Sequence, residues 1–162
     1  MDVQTIYYNT KQLHNCHFDY NAFWAMATAN REVMRAITYA IERNDEKHKQ
    51  LQNILKGIRF ELKLKPFIQR SDGSAKGDWD VGIAMDMIEM SNKLDTLILV
   101  SGDGDYIPLI EHLRRSTGCK VEVMAFKKSA SSKLFETADE FIDMEKDKKK
   151  FLIQSHKYRN AS

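Results

Sequence analysis

Thr96-Leu97-Ile98-Leu99-Val100-Ser101-Gly102-Asp103-Gly104-Asp105 passes within ten residues from an unbroken apolar run to a turn bearing two carboxylates. The first half has strand length, and the lack of polar alternation belongs to a strand covered on both faces. Beyond the turn, Leu109, Ile110 and Leu113 recur at the spacing of one helical face. A buried strand that turns sharply into a helix is half of a parallel-sheet unit. The same alternation continues on either side. Residues 120–126 (KVEVMAF) read as a strand, 131–138 as a short helix and 140–144 as a last strand. Toward the N-terminus, Val81, Ala84, Met85 and Ile88 repeat at helical spacing after a polar loop over 69–78. Before it, Phe60, Leu62 and Leu64 alternate with charged residues, as in a half-exposed peripheral strand. Asn44 or Asp45 is placed to cap a helix carrying Leu51, Ile54, Leu55 and Ile58, and the apolar run 33–41 reads as a buried strand. The expected fold class is α/β: a three-layer α/β/α domain with a central, mainly parallel sheet and right-handed crossovers.

Composition narrows the function classes. The 162 residues suffice for one domain with a sizeable core, and 43% hydrophobic with 30% charged residues is a globular mixture. The domain is expected to span 1–145. Residues 146–162, with Lys146, Lys148, Lys149, Lys150, Lys157 and Arg159, read as a basic tail, either phosphate-tracking or a solvated, frayed terminus. Net charge is only +2, so the chain is not basic overall. No apolar run approaches the roughly 20 residues that cross a bilayer, so no membrane partner is expected. Cys16 and Cys119 are too few for a disulfide framework, and a reducing cytoplasm is the expected compartment.

In open parallel sheets, ligands bind beyond the carboxyl ends of the strands. Asp103 and Asp105 stand at such an end. Asp80 opens the preceding helix after a loop long enough to return it to the same edge, and Asp2 stands just ahead of the first apolar segment. Carboxylates about 4 Å apart repel by about 4 kcal/mol per pair at an effective dielectric near 20. A cluster of them persists when a cation holds it or protons are shared, and hard oxygen donors suit Mg²⁺ or Mn²⁺. Such an ion can serve phosphodiester hydrolysis. Taken singly, Asp-Gly-Asp is also an ordinary turn, and Asp80 an ordinary acid at a helix start.

The stretches 76–86 (KGDWDVGIAMD) and 97–109 (LILVSGDGDYIPL), followed by 131–134 and 138–142, resemble the NYN/LabA-like branch of the PIN-domain nuclease superfamily. The resemblance covers about residues 2–144. It implies a PIN-like fold, a metal-dependent ribonuclease site and RNA, in single-stranded form, as substrate. It also implies Asp80, Asp103, Asp105 and Asp2 as catalytic, metal-binding carboxylates. Asp86 lies about a turn and a half beyond Asp80, a position that serves the helix. The N-terminus departs from the family pattern, because Thr5 stands where relatives carry Asn and only Met1 remains of the preceding strand. Loss of that strand is expected to expose an edge on each neighbour unless another segment fills the gap.

Thr5, Lys76, Ser101, Lys127 and Lys133 are the candidate substrate contacts, with Lys128 beside them. Ser101 can orient a water or bond to the turn backbone. Trp79 can stack on a base or pack inward, while Tyr7, Tyr8, Phe18, Phe23 and Trp24 read as core residues of the first helix. His14, Cys16 and His17 lack the partner pair of a zinc site. The expected activity is a Mg²⁺- or Mn²⁺-dependent endoribonuclease, and a homo-oligomer is compatible with it. Two rivals stand beside this reading. One is an RNA-binding or regulatory module of the same fold that does not cleave. The other is a haloacid-dehalogenase-type phosphatase, which would want Thr where Tyr106 and Ile107 stand.

Overall fold

The structure, a computed structural model, describes residues 1–72, 75, 76 and 78–154, with the side chains of Ala75 and Lys76 left out. The chain opens with α1 (Val3–His14), β1 (Cys16–Phe18), α2 (Tyr20–Ala27), β2 (Ile37–Glu42), α3 (Glu46–Ile58) and β3 (Glu61–Pro66). A small hairpin of β4 (Ile68–Gln69) and β5 (Ala75–Lys76) leads to α4 (Asp80–Ser91), β6 (Thr96–Val100), a 3-10 turn (Gly104–Tyr106) and α5 (Ile107–Ser116). The last part runs β7 (Lys120–Ala125), a second 3-10 turn (Lys127–Ser129), α6 (Ser132–Thr137), β8 (Glu140–Asp143), α7 (Lys148–Phe151) and β9 (Leu152–Gln154).

β2 pairs parallel with β3, and β6, β7 and β8 form a second parallel set in that order. Two residues join the sets. Met1 N donates to Ile37 O at 2.8 Å, Tyr39 N to Met1 O at 3.0 Å, and Asp2 N to Val100 O at 3.3 Å. Met1 and Asp2 are thus a two-residue stub of strand between β2 and β6, with Asp2 bridged in parallel to Tyr39. Apolar side chains cover both faces of this sheet, as the mostly apolar runs of 37–41 and 96–100 require. On one face Leu97, Leu99, Val121 and Val123 meet Ile83, Met87, Leu109, Ile110, Leu113 and Leu134 from α4, α5 and α6. On the other, Val100 and Met124 meet Val3, Ile6, Phe23, Leu55 and Phe151 from α1, α2, α3 and α7. The α/β reading with a central parallel sheet is confirmed.

Three local expectations differ. The strand expected over 33–41 starts at Ile37, the residue opposite the first residue of β3, and Val33 and Met34 are exposed. On α4 the apolar spacing marks a helix, but Val81, Met85 and Ile88 face outward while Ile83 and Met87 are buried. This helix carries apolar residues on two faces, so periodicity alone does not choose between them. Residues 148–154, expected within a basic tail, pack on the domain: β9 pairs antiparallel with β1, and Phe151 is buried. An apolar Phe-Leu-Ile segment inside a lysine-rich context was the reason, since it buries the Phe151 ring against Phe18. Glu145 holds His14 Nε2 and Lys148 Nζ, each at 3.0 Å, and anchors this return. Residues 155–162, with Lys157 and Arg159, lie outside the described residues. Among the described residues, no helix is long and apolar enough to cross a membrane.

Candidate metal centre

The carboxyl end of β6 gathers three acids. The first 3-10 turn begins immediately after Asp103, whose Oδ1 accepts from Asp105 N at 2.9 Å. Asp103 is therefore the capping residue there. Asp103 N in turn donates to the buried Ser101 Oγ at 3.2 Å, so Ser101 bonds to the turn backbone. Gly102 is required by a close approach: a Cβ there would lie 2.8 Å from Ala130 Cβ and 2.9 Å from its Cα. Its carbonyl accepts from Ser131 N at 3.0 Å, which fastens the turn to the start of α6.

Asp80 reaches the same place from the first turn of α4. Trp79, just before it, donates its indole N–H to Ala40 O at 2.8 Å and lies under Lys65, whose Nζ is 4.3 Å from the ring centre. That bond ties the start of α4 to β2 and gives Trp79 a packing role. The buried Tyr106 donates its hydroxyl to Asp80 Oδ1 at 3.0 Å. One carboxylate oxygen each from Asp80, Asp103 and Asp105 then falls within 4.8 Å of the others. The three residues come from two elements separated by strand β6, which is the convergence expected at this sheet edge.

Electrostatics set this group apart. Burial pushes the Asp80 carboxyl above its ordinary range; the Tyr106 hydrogen bond opposes this, and the charges of Asp103, Asp78 and Asp2 add to it. Burial, with Asp80 as the nearest negative neighbour, pushes the Tyr106 hydroxyl far up, so it stays a donor at all ordinary pH values. No lysine, arginine or histidine pairs with any of the three carboxylates among the described residues. An all-oxygen donor set with no protein cation fits a hard divalent ion.

The remaining expected site residues divide. Asp2 lies at the same sheet edge, and its charge is felt at Asp80. Its carboxylate is engaged in capping α1, accepting from Thr5 N at 3.3 Å and from Thr5 Oγ1 at 2.8 Å. Asp2 is outside the three-residue group that could share an ion. Thr5 thus serves Asp2 directly. Lys127 and Lys133 are exposed near α6, with Lys127 Nζ 5.7 Å from the Phe135 ring centre and its backbone N–H on Asp143. The Lys76 side chain lies outside the described ones. Sequence reading missed Tyr106. Its signal was the spacing of 106, 109, 110 and 113, which carries the buried face of α5 back to the last residue of the 3-10 turn.

The family model of the NYN domain matches residues 1–145. A crystal structure of a protein of unknown function, VPA0982, from Vibrio parahaemolyticus RIMD 2210633 is similar over 94% of this chain and 92% of that one, with 46% identity and a TM-score of 0.87. A PLP-bound protein from Clostridium difficile 630 aligns over 95% of this chain and 47% of that one at 12% identity, and its TM-score of 0.33 carries no argument. No curated protein matches the sequence.

Proposed function

The chain belongs to the NYN domain family, a family of PIN-like nuclease domains, and on that premise we propose that it is a metal-dependent endoribonuclease. The observation that carries the proposal is the convergence of Asp80, Asp103 and Asp105 with no protein cation among the described residues to offset them. Mg²⁺ or Mn²⁺ is the fitting ion. When bound, such an ion supplies a Lewis acid that lowers the pKa of water and offsets charge developing at phosphorus.

The protein's own groups set the geometry. Asp103 and Asp105 are held at fixed spacing by the 3-10 turn, and Asp80 by the Tyr106 hydroxyl, so little reorganisation is needed on ion binding. Thr5 fixes the Asp2 carboxylate beside them, where it adds negative charge to the site. Lys127 and Lys133 are placed to meet phosphates of an RNA strand crossing the end of the sheet, and Lys76 is the further candidate on the hairpin side. Single-stranded RNA is the proposed substrate, because its backbone can bend into a site at a sheet edge.

A second reading, binding without cleavage, has one observation in its favour: the Asp2 carboxylate is spent on capping α1. One assay separates the two. Labelled single-stranded RNA is incubated with Mn²⁺, with chelator and with Asp103→Asn. Cutting that needs the ion and is lost in the variant supports the nuclease. Retained binding with no cutting under any condition overturns it in favour of the second reading.

A further inference from the structure

We propose that Phe67 and Arg43, at the carboxyl ends of β3 and β2, form a stacking platform for one unpaired base of an RNA strand lying across the acid cluster. The identity of the ligand as RNA rests on the nuclease reading above. Phe67 is 41% exposed, and the Arg43 guanidinium carbon lies 4.9 Å from the centre of its ring. The two residues come directly after the last paired positions of their strands, Glu42 and Pro66. Pro66 has no N–H with which to continue a ladder, and the chain leaves the sheet there for the β4–β5 hairpin. A ring this exposed adds little to the core, whereas a base stacked on its open face would cover it. Asp45, two positions beyond Arg43, accepts from His48 N at 2.9 Å and lies 2.6 Å from His48 Nδ1, so its carboxylate is turned toward α3.

Strand alternation puts the platform on the face that leads to the metal centre. On β3 the alternation of Lys63 and Lys65 continues to Phe67. Lys63 reaches Asp86 and Lys65 reaches Trp79, so this is the face that α4 covers. On β2, Tyr39 also reaches Asp86, and Arg43 follows it at even spacing. Lys65 Nζ donates to Asp78 O at 3.0 Å, which sets one cation between Asp80 and the platform. Across the sheet, β3 stands three strand positions from β6, with β2 and the Met1–Asp2 stub between them. At roughly 4.8 Å per position the separation is about 14 Å. A strand with one phosphate beside Asp103 would therefore bring a base a few nucleotides along over Phe67, with Lys65 facing the backbone between. Every base has a face to stack, so the platform is indifferent to sequence. It is not indifferent to pairing, because a base inside a duplex has no free face to offer.

The test measures binding by fluorescence anisotropy, with chelator present so that cutting does not intervene. The probe is a labelled oligouridylate of about 12 nucleotides, alone or annealed to oligoadenylate. Phe67→Ala is expected to weaken binding of the single strand about tenfold and Arg43→Ala a few-fold, while Phe67→Trp keeps it. Ile68→Ala, at the next exposed apolar residue, is expected to stay within about twofold. Duplex binding is expected to be unchanged by Phe67→Ala. Unchanged affinity of Phe67→Ala for the single strand, or an equal loss for single strand and duplex, would overturn the proposal. Loss of a dimer on Phe67→Ala, seen by light scattering in place of a loss of RNA affinity, would overturn it in favour of a second copy of the chain. Cutting is scored separately in Mn²⁺. Binding that follows the expected pattern without any cutting supports the platform and counts against the nuclease, whereas cutting with unchanged binding by Phe67→Ala sinks the platform alone.

Discussion

Asp80 and Asp86 stand on the same helix, six positions apart, and meet opposite surroundings. Lys63 Nζ lies 2.6 Å from Asp86 Oδ2, and the Tyr39 hydroxyl donates to the same oxygen at 2.7 Å. Burial alone would push the Asp86 carboxyl up, but these two bonds outweigh it and hold the group below its ordinary range. Asp80 has one neutral donor and carboxylates for neighbours, and it is displaced upward. Glu122 belongs with Asp86: it is buried in β7, and both its oxygens accept from Arg31 Nη2, at 2.9 and 2.8 Å. Asp86 and Glu122, both away from the site, each have a cation beside them. At the end of β6 three acids gather without one among the described residues, and the difference marks a group that could hold an ion.

The largest expected effect is on catalysis. Asp103→Asn should reduce Mn²⁺-dependent RNA cleavage at least about 100-fold, by loss of a ligand and of the cap that sets the turn. Asp86→Asn should leave the rate per folded molecule within about twofold, and equal losses in the two variants would erase the distinction between the acids. Next comes stability. Arg31→Ala should lower the unfolding free energy by about 2–3 kcal/mol in urea titrations, because Glu122 is left buried without its partner, with some relief from the half-exposed position of Arg31.

The third effect separates Asp80 from Asp86 by sign. An upward-shifted acid favours protonation in the folded state, so its ionisation opposes folding. This penalty is absent below the ordinary value of 3.8 and complete above the raised folded value. Without metal at pH 7, Asp80→Asn should therefore stabilise the protein by about 1 kcal/mol, with the gain fading as pH falls toward that value. A downward-shifted acid behaves in the reverse way. Its contribution is present above 3.8 and lost as pH falls through the lower folded value. Asp86→Asn should cost about 1–2 kcal/mol at pH 7 and little in strong acid. Thermal midpoints from pH 3 to 7 read both, and the same sign for both substitutions would break the contrast. The smallest effect is expected for Tyr106→Phe, which keeps the ring packing and removes one hydrogen bond, costing about 1 kcal/mol and weakening Mn²⁺ binding a few-fold.

Much of this was legible in the sequence because local chemistry and global position agreed. The run 97–100 is apolar on every residue, as a central strand requires. Its Ser-Gly-Asp-Gly-Asp end had to turn, and the crossover rule placed Asp80 beside it. Legibility failed where two local patterns compete. On α4 both the Ile83/Met87 stripe and the Val81/Met85/Ile88 stripe are apolar, and only packing selects the first. The return of Phe151 was hidden by the lysines around it. The place of Met1 and Asp2 between β2 and β6 came from the backbone pairing of the folded sheet. The capping of α1 by Asp2 was written in the Asp-x-x-Thr spacing, yet the family role obscured it.

The central claim is that Asp80, Asp103 and Asp105 share one divalent ion. Calorimetric titration of Mn²⁺ at pH 7 into the unsubstituted protein, Asp103→Asn and Asp86→Asn tests it most directly. Saturable binding that disappears in Asp103→Asn and persists in Asp86→Asn is the predicted result. Binding of equal strength in all three proteins, or none in the unsubstituted one, would contradict it.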